Sequence, residues 1–331
     1  MRVGSACTGW ATESQALSQL EIPHEMIFMC DSEPDVEKFL QMNVQCTRFH
    51  QNVFERGFLD EEPVDLLVAG APCQPYSSDG KRLGSADPRS KVIFPITSYI
   101  ERARPLMILL ENVPGWATVG RDNFEEVWAR LSNIRASSGD SFYNLYQARL
   151  DSSDYGSLQN RKRLYVVAMA RSLDSGFAFP EPLPDRLPFD SILDPGSCLH
   201  HTFTVEDVPP EMLQTKTRQR AMVAALALTT ESVPCGHMVV DLGSGRDQKI
   251  TKDRFPTITA NRCRNRDFFS VQMRRRFSLA ELARAQGADP AGLNMSAVSP
   301  AAMGHIIGNA MTVSTMKAIL SQMLTCAGLR S

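Results

Sequence analysis

Short apolar runs alternate with amphipathic stretches through the first half of the chain. Each run ends in glycine, proline or polar residues and is too short for a buried helix, which is typical of strands in a buried parallel sheet. The pattern predicts strands at 2–6, 24–30, 64–68, 107–110, 143–150 and 164–170, and helices at 35–43, 92–104 and 123–131. Alternating strands and helices favour an α/β fold with a doubly wound, Rossmann-like sheet.

From residue 172 onward the composition changes. Eight prolines interrupt the stretch up to Asp253, and only 222–228 has a helical pattern, which favours a smaller lobe rich in loops. Farther on, 277–287 predicts a helix with a capping box formed by Ser278 and Glu281, and a long helix is predicted after Gly308 and Asn309. We therefore expect three parts: 1–171, 172–253 and 254–331.

The overall composition is that of an ordinary soluble globular protein. The chain has 331 residues, of which 43% are hydrophobic and 22% are charged. Its eight cysteines include no CxxC pair and no spacing typical of metal ligands, so the sequence predicts neither a metal site nor a disulfide framework. No signal peptide and no transmembrane run is present, so we expect no membrane segment. We expect a monomer, nuclear in a eukaryote and otherwise cytoplasmic.

The net charge of −2 does not by itself predict a polyanionic partner. Arginines are nevertheless concentrated in one short segment, 262–276, together with Phe268 and Phe269. Local basic density of this kind can bind phosphate groups on an otherwise neutral protein. A solvated surface explains the same segment equally well, and the sequence leaves both interpretations open.

A cysteine stands at the end of one predicted strand. Cys73 follows the apolar run at 64–68, with Pro72 before it and Pro75 after it. Open α/β sheets bind ligands at the carboxyl ends of their strands, and a thiol placed there can act as a nucleophile. The alternative is that Cys73 is a small buried apolar side chain, as many free cysteines are. The prolines restrict where the sulfur points and favour the nucleophile.

Charged side chains mark two other strand ends. Glu111 closes the strand at 107–110, which we expect to lie beside the strand that leads to Cys73. Arg161 and Arg163 lead into the strand at 164–170, and they are predicted to share a face because side chains in a strand repeat every two residues. A carboxyl group next to a placed thiol becomes a candidate acid.

The first strand and turn are typical of a nucleotide-binding α/β unit. Residues 7–12 join the strand to a helix, although Gly9 is the only glycine in the turn. Asp31 follows the second strand, where an acidic side chain can bind ribose hydroxyls. The alternative for Asp31 is a cap on the next helix.

Taken in order, these motifs resemble those of the cytosine-5 DNA methyltransferases. The series is Cys7-Thr8-Gly9, Asp31, Pro72-Cys73-Gln74, Glu111-Asn112-Val113, Gln159-x-Arg161-x-Arg163 and Gly308-Asn309-Ala310, and it spans nearly the whole chain. The resemblance implies an S-adenosylmethionine-dependent enzyme that methylates cytosine C5 in double-stranded DNA. It further implies that 1–171 is the catalytic and cofactor-binding domain, 172–253 the target recognition region, and 254–331 a supporting segment that returns to the catalytic domain.

The resemblance also implies a role for each site residue. Cys73 would add covalently to C6 of a cytosine flipped out of the duplex, Glu111 would act at N3, and Arg161 would contact O2 with Arg163 beside it. Cofactor contacts are expected from Cys7, Thr8, Gly9, Trp10, Asp31, Ser32, Asn52, Val53, Pro72, Asn309 and Ala310. The segment after Cys73 resembles the family's closing loop, and DNA contacts are expected from Ser77, Ser78, Lys81, Arg82 and Arg89.

The cofactor residues depart from the family pattern at three places. Ala11 and Thr12 replace glycines, Ser32 replaces an aromatic residue that packs on the adenine, and Asn52 replaces an aspartate that binds the adenine amino group. An amide oxygen can still accept a hydrogen bond at that position. The resemblance to the family is therefore closer at the nucleophile Cys73 than at the residues expected to bind the cofactor.

Two other functions fit parts of the pattern. The RNA branch of the same family uses the same catalytic residues on tRNA, but its Cys-Phe-Thr signature is missing from the variable region of this chain. A catalytically silent, nucleic-acid-binding regulator would retain the fold, but folding does not require Cys73, Glu111, Arg161 and Arg163 together. The DNA target sequence, the preferred methylation state and the biological role stay open.

Overall fold

The computed structural model describes residues 1–77, 83–184, 187–229, 236–244 and 249–330. The chain forms two compact units. The first contains Met1–Asp151, Lys162–Pro182 and Thr315–Ser331, and the second contains Ser152–Arg161 and Leu183–Ser314. These limits reflect packing, and the division by function into 1–171, 172–253 and 254–331 stays a prediction.

The first unit is built on a seven-stranded sheet. Its strands are β1 (Arg2–Ala6), β2 (Glu25–Cys30), β3 (Cys46–His50), β4 (Leu66–Ala69), β5 (Met107–Asn112), β6 (Tyr143–Asp151) and β7 (Lys162–Ala170). They lie in the order β3-β2-β1-β4-β5-β7-β6. β1 to β5 are parallel, and β7 is antiparallel to both of its neighbours. The predicted α/β fold with a doubly wound sheet is confirmed.

Helices connect the parallel strands, as the alternating pattern predicts. They are α1 (Thr12–Gln19), α2 (Pro34–Asn43), α3 (Arg56–Leu59), α4 (Ile93–Ala103) and α5 (Arg121–Ser132). The strand order reverses at the centre of the sheet, where β1 pairs with β4 in parallel. Ligands of doubly wound sheets bind at such a reversal, outside the carboxyl ends of the strands.

Gly4 in β1 faces an aromatic cluster in the core of the first unit. Phe28 packs edge to face on Phe58 and Tyr99, with ring centroids 5.7 and 5.3 Å apart. All three rings are buried. A Cβ atom at position 4 would overlap the Phe28 ring, so glycine is required for β1 and β2 to pair at this point.

The second unit contains a four-stranded sheet in the order β11-β10-β8-β9. Its strands are β8 (Met238–Asp241), β9 (Ile250–Lys252), β10 (Phe268–Ser270) and β11 (Arg275–Arg276), and its helices are α6 (Lys216–Ala227), α7 (Ala260–Arg264), α8 (Leu279–Ala285) and α9 (Pro300–Asn309). All pairs are antiparallel. Phe203, Met222 and Phe269 lie in its buried cluster.

The predicted capping box at the start of α8 is confirmed. Ser278 Oγ accepts the main-chain N–H of Glu281 at 3.1 Å, and Glu281 Oε2 accepts the N–H of Ser278 at 2.8 Å. The long helix predicted after Asn309 is α10 (Val313–Cys326). Its residues from Thr315 onward belong to the first unit. Among the described residues, no helix is both long and apolar enough to cross a bilayer.

We expect Gly4→Ala to destabilise the protein by about 1–3 kcal/mol, because the added methyl group must displace the Phe28 ring within a packed core. Chemical denaturation followed by circular dichroism measures the change. Combining Gly4→Ala with Phe28→Leu should cost less than the sum of the two single changes, because the smaller side chain leaves room. Gly292→Ala is the control, since nothing lies within 4 Å of a Cβ atom there. Strict additivity of the pair would contradict this account of the packing.

Candidate active site

Cys73 lies four residues beyond the end of β4 (Leu66–Ala69), beside the point where the strand order reverses. The thiol is half-buried and packs against the core of the first unit. The strand and the turn together explain this position, because Gly70, Ala71 and Pro72 carry the chain past the sheet edge. The thiol therefore lies at the carboxyl edge of the sheet, where the sequence predicted it, and its role as a nucleophile stays a prediction.

Neighbouring groups hold the segment around Cys73 in place. Asn112, the last residue of β5, donates from Nδ2 to the carbonyl of Ala71 at 3.2 Å. The Cys73 carbonyl accepts the N–H groups of Tyr76 and Ser77 at 3.0 and 2.9 Å. The buried Tyr76 hydroxyl accepts from Asn123 Nδ2 at 3.1 Å. These bonds fix the main chain on both sides of the thiol.

Glu111 is brought to the same edge by strand pairing. β4 and β5 are adjacent and parallel, and Glu111 is the second-last residue of β5. Its carboxyl group is only 9% exposed and forms an ion pair with Arg163, with 2.9 Å between Oε1 and Nε. Arg163 itself is 12% exposed. Because β7 is antiparallel to β5, a residue near the start of β7 reaches the carboxyl end of β5.

Arg161 has a different set of partners. Its Nη1 donates to the carbonyls of Ile258 and Gly308 at 3.0 and 3.3 Å. Its Nη2 donates to Asn309 and Ala310 at 3.4 and 2.8 Å. β7 begins at Lys162, one residue after Arg161, so the face that Arg161 was expected to share with Arg163 stays a prediction. The expected contact between Arg161 and cytosine O2 stays a prediction.

The turn after β1 has an unusual main chain. Cys7, Gly9 and Ala11 all have left-handed φ angles, at 54°, 59° and 56°. Such angles are strained for residues with a side chain. The turn is held to the second strand, because Gly9 N–H donates to Asp31 Oδ2 at 2.9 Å and Thr8 N–H donates to the Cys30 carbonyl at 3.1 Å.

Trp10 and Cys7 in this turn differ in exposure, since Trp10 is buried and Cys7 is half-buried. The Trp10 indole is fully buried and donates from Nε1 to Thr12 Oγ1 at 3.0 Å. Burial, together with Asp31 and Cys30 nearby, raises the pKa of the Cys7 thiol well above its usual value. The thiol of Cys7 is therefore neutral at physiological pH, unlike the thiolate that a nucleophile requires.

Asp31 accepts hydrogen bonds both from the turn after β1 and from the residue that precedes α2. Its Oδ1 accepts the N–H of Glu33 at 3.1 Å, in addition to the bond from Gly9 to Oδ2. Burial raises its pKa, while these main-chain bonds oppose that change. Glu33 is a further candidate for cofactor binding that the sequence motifs did not indicate. Its exposed side chain stands at the N-cap position of α2. Pro34 at the first helical position could have indicated that the helix begins there.

The remaining expected cofactor residues occupy varied environments. Ser32 and Asn52 are exposed, Val53 is buried and Pro72 is half-buried. Asn52 Oδ1 accepts the N–H of Phe54 at 3.1 Å, so part of its amide stabilises the loop after β3. Two further expected contacts belong to the second unit: Asn309 is exposed with Nδ2 at 2.9 Å from His305 Nε2, and Ala310 is buried.

Of the expected DNA contacts, Ser78, Lys81 and Arg82 lie outside the described residues. Ser77 is half-buried. Arg89 forms an ion pair with Asp87 at 2.7 Å, and its side chain remains 54% exposed. The pKa of Arg89 is raised, chiefly by its hydrogen bond to Asp87 and to a smaller extent by the Cys73 thiol. The guanidinium group is therefore paired chiefly with Asp87.

The arginine-rich segment is partly structural. Arg262 pairs with Asp241, Arg274 with Asp207 and Arg275 with Glu281, at 2.9, 2.7 and 2.7 Å. Arg264 and Arg266 are exposed. Three arginines of this segment therefore form ion pairs within the protein, and two are exposed to solvent. No cluster of three metal-ligating side chains occurs within the described residues.

The chain is similar in sequence to curated type II methyltransferases. A curated relative from Bacillus subtilis, the type II methyltransferase M.BsuFI, is 36% identical over 132 residues, which is 39% of this chain and 31% of the relative. The type II methyltransferase M.HhaI from Haemophilus parahaemolyticus is 30% identical over 138 residues, 41% of this chain and 40% of the relative. The aligned part of the chain thus spans less than half the length of these relatives.

Solved structures share the fold at low identity. The S. pombe Dnmt2 methyltransferase superposes with a TM-score of 0.60 and 16% identity, covering 98% of both chains. A putative DNA modification methyltransferase encoded within an E. coli prophage gives a TM-score of 0.65 and 15% identity, also with 98% coverage of both. The model of the C-5 cytosine-specific DNA methylase family matches residues 1–325, and the chain therefore belongs to this family.

Proposed function

We propose that the protein transfers a methyl group from S-adenosylmethionine to C5 of a cytosine in double-stranded DNA. One observation carries the proposal. In a chain of this family, the half-buried Cys73 thiol follows β4 at the reversal of the sheet, and the Glu111 carboxyl group ends the neighbouring strand. A nucleophile and an acid at one sheet edge suit covalent activation of a heteroaromatic ring.

The chemistry requires a temporary loss of aromaticity, because C5 of cytosine is a weak nucleophile. The Cys73 thiolate attacks C6 and forms a carbon–sulfur bond, while the electron pair of the C5–C6 double bond makes C5 nucleophilic. In its protonated form Glu111 donates a hydrogen bond to N3 and stabilises the negative charge that develops on the ring. When bound, S-adenosylmethionine supplies an electrophilic methyl group for C5. Loss of the C5 proton to a base then restores the double bond and expels the thiolate.

Arg163 is a positioning residue in this scheme. Its ion pair with Glu111 holds the carboxyl group in one direction, and both side chains are largely shielded from water. Arg89 is proposed to contact a DNA phosphate, because more than half of its side chain is exposed although it pairs with Asp87.

Arg161 is proposed to act through the segment 308–310. Four carbonyl groups, of Ile258, Gly308, Asn309 and Ala310, accept its terminal N–H bonds. Asn309 and Ala310 are two of the expected cofactor contacts. Arg161 therefore fixes the main chain of residues that are proposed to bind the cofactor.

The first turn offers groups that fit S-adenosylmethionine. Residues 7–11 present a strained main chain at the carboxyl end of β1, where α/β units hold the ligand. Asp31 and Glu33 are both carboxylates close to this turn, and the exposed Glu33 is less engaged by the protein than Asp31. Either carboxylate can accept hydrogen bonds from the ribose hydroxyls. Trp10 is fully buried, so its role is to support the turn from within.

The family description favours DNA as the substrate. Flipping a target base out of the duplex is required, because C6 is inaccessible to a thiol inside a stacked helix. The RNA branch of the family remains the second candidate through its shared catalytic residues. Substrate choice is resolved by offering both nucleic acids to the same protein.

We expect Cys73→Ala to abolish methyl transfer, because alanine has no thiol to form the bond to C6. The measurement is transfer of labelled methyl from S-adenosylmethionine to DNA and, in parallel, to total RNA. Duplex DNA containing 5-fluorocytosine should trap the unaltered protein as a covalent adduct, since fluorine at C5 cannot leave as a proton. Cys46→Ala is a matched control, because that thiol lies on the edge strand β3.

The outcomes separate the candidates. Label on DNA that disappears in Cys73→Ala, with wild-type label in Cys46→Ala, supports the proposal. Label on RNA alone moves the protein to the RNA branch. Binding of cofactor and DNA without label on either nucleic acid supports a silent regulator and contradicts the proposed activity.

Glu111→Gln is expected to lower kcat by about 100- to 10,000-fold, the usual contribution of a positioned general acid. Arg163→Lys should lower kcat by a smaller factor, because a lysine keeps the charge but not the guanidinium geometry. Neither change should alter the KM for S-adenosylmethionine by more than about threefold, since both side chains are proposed to act on the base and not on the cofactor. Equal losses in kcat for the two variants would contradict a positioning role for Arg163. Steady-state kinetics at saturating DNA provides the measurement.

Arg161→Lys is expected to destabilise the protein by about 3 kcal/mol, since a buried lysine has three N–H donors and cannot reach four separate carbonyls. Thermal unfolding detects the loss. The KM for S-adenosylmethionine should rise in the same variant, because the segment 308–310 is no longer fixed. A variant with normal stability and cofactor KM but reduced kcat would instead support the direct contact with cytosine O2.

A further inference from the structure

A buried tyrosine close to the candidate nucleophile has no role in the chemistry described above. Tyr76 follows Cys73 by three residues and belongs to the buried core of the first unit. The main-chain N–H groups of Tyr76 and Ser77 both donate to the Cys73 carbonyl, at 3.0 and 2.9 Å. These residues form one tight turn, so a displacement of Tyr76 also displaces the main chain that carries the thiol.

The segment that follows β5 packs closely around Tyr76. β5 carries Glu111, and the chain then continues through Gly115 and Gly120 into α5. A Cβ atom at position 115 would overlap the Tyr76 carbonyl, and a Cβ atom at position 120 would overlap the Tyr76 ring. Glycine at both positions therefore lets the segment approach Tyr76 on two sides.

The hydroxyl group of Tyr76 is attached to α5. Asn123, the third residue of α5, is buried and donates from Nδ2 to the Tyr76 hydroxyl at 3.1 Å and to the Ser90 carbonyl at 3.3 Å. Breaking the first bond would leave a buried polar group without that partner, which costs free energy. Because the hydroxyl stands at the far end of a rigid ring, this bond fixes the direction of the whole side chain.

These contacts relate the positions of the two reactive groups. Glu111 lies within β5, whereas Cys73 lies beyond the last residue of β4 that pairs with β5. Strand pairing therefore places the carboxyl group directly but the thiol only through the turn that follows β4. The bond from Asn112 to the Ala71 carbonyl holds the chain before the thiol, and Tyr76 holds it after the thiol. Both attachments lead to the chain that carries Glu111.

We propose that Tyr76 and Asn123 are positioning residues, and that their hydrogen bond aligns the Cys73 thiol with Glu111 for attack on cytosine C6. The inference rests on the proposed function, because it takes the reaction from there. In this scheme neither side chain contacts the base or the cofactor. Loss of the bond is therefore expected to slow formation of the carbon–sulfur bond and to leave binding unchanged, since a misplacement of about 1 Å can cost about 100-fold in rate.

The test is the rate of covalent adduct formation by the full chain with S-adenosylmethionine and duplex DNA in which 5-fluorocytosine replaces every cytosine, so that no target sequence need be known. Tyr76→Phe keeps the ring and removes the hydroxyl, and it is expected to lower this rate by about 10-fold at saturating DNA. Asn123→Ala should lower it by a similar factor. The double variant should be no slower than the slower single variant, because both changes remove the same bond. The half-saturating concentrations of DNA and cofactor should change by less than about twofold.

Tyr143→Phe is the matched control. The Tyr143 residue is buried, and its hydroxyl donates to the Pro105 carbonyl at 2.7 Å. It begins β6, which runs in the same direction as β5, so it lies at the edge of the sheet opposite Cys73. Both tyrosine variants lose one hydrogen bond of a buried hydroxyl and should have similarly lowered melting temperatures. Only Tyr76→Phe should form the adduct more slowly.

Each other outcome overturns the inference. A wild-type rate in Tyr76→Phe would remove the hydroxyl from any positioning role, and an equal loss of rate in Tyr143→Phe would assign the effect to stability alone. A change only in the half-saturating concentration of DNA would make Tyr76 a binding residue. Losses that multiply in the double variant would contradict a shared bond. These four results leave the proposed function intact, whereas a wild-type protein that forms no adduct and transfers no methyl group would overturn both.

Discussion

The parallel pairing of β4 with β5 is the constraint on which the candidate site depends. It brings the segment of Cys73 and the carboxyl group of Glu111 to one edge of the sheet, and the bond from Asn112 to the Ala71 carbonyl ties the two strand ends together. The strands themselves are apolar and buried, so their register is fixed by the core and not by the reactive groups. Hydrophobic packing of the strands therefore determines where Cys73 and Glu111 lie.

Much of this fold follows from the apolar pattern alone. β1 is observed at the predicted residues 2–6, and the capping box at Ser278 is present, because local periodicity and capping depend on neighbouring residues. Strand order is a different matter. That β7 lies between β5 and β6 and runs antiparallel to both results from tertiary pairing, which leaves no period in the sequence.

In the candidate site too, features that depend on neighbouring residues were predicted, and contacts between distant segments were not. Cys73, Glu111 and the turn at Gly9 were predicted as strand-end features, because the end of a strand is a local property. The partner of Arg163 and the four carbonyls around Arg161 were not predictable, since they depend on segments distant in sequence.

The reversed direction of β7 determines where the second unit is connected to the seven-stranded sheet. In an all-parallel sheet, every strand starts at the edge opposite the ligands, so only loops that follow strands can supply reactive groups. Here β6 ends and β7 begins at the edge where β5 ends, and the connection between them, Ser152–Arg161, belongs to the second unit. The chain thus leaves the seven-stranded sheet and returns to it next to the position of Arg163. Insertions or exchanges in the second unit can be accommodated there without altering the register of β4, which leads to Cys73, or of β5, which carries Glu111.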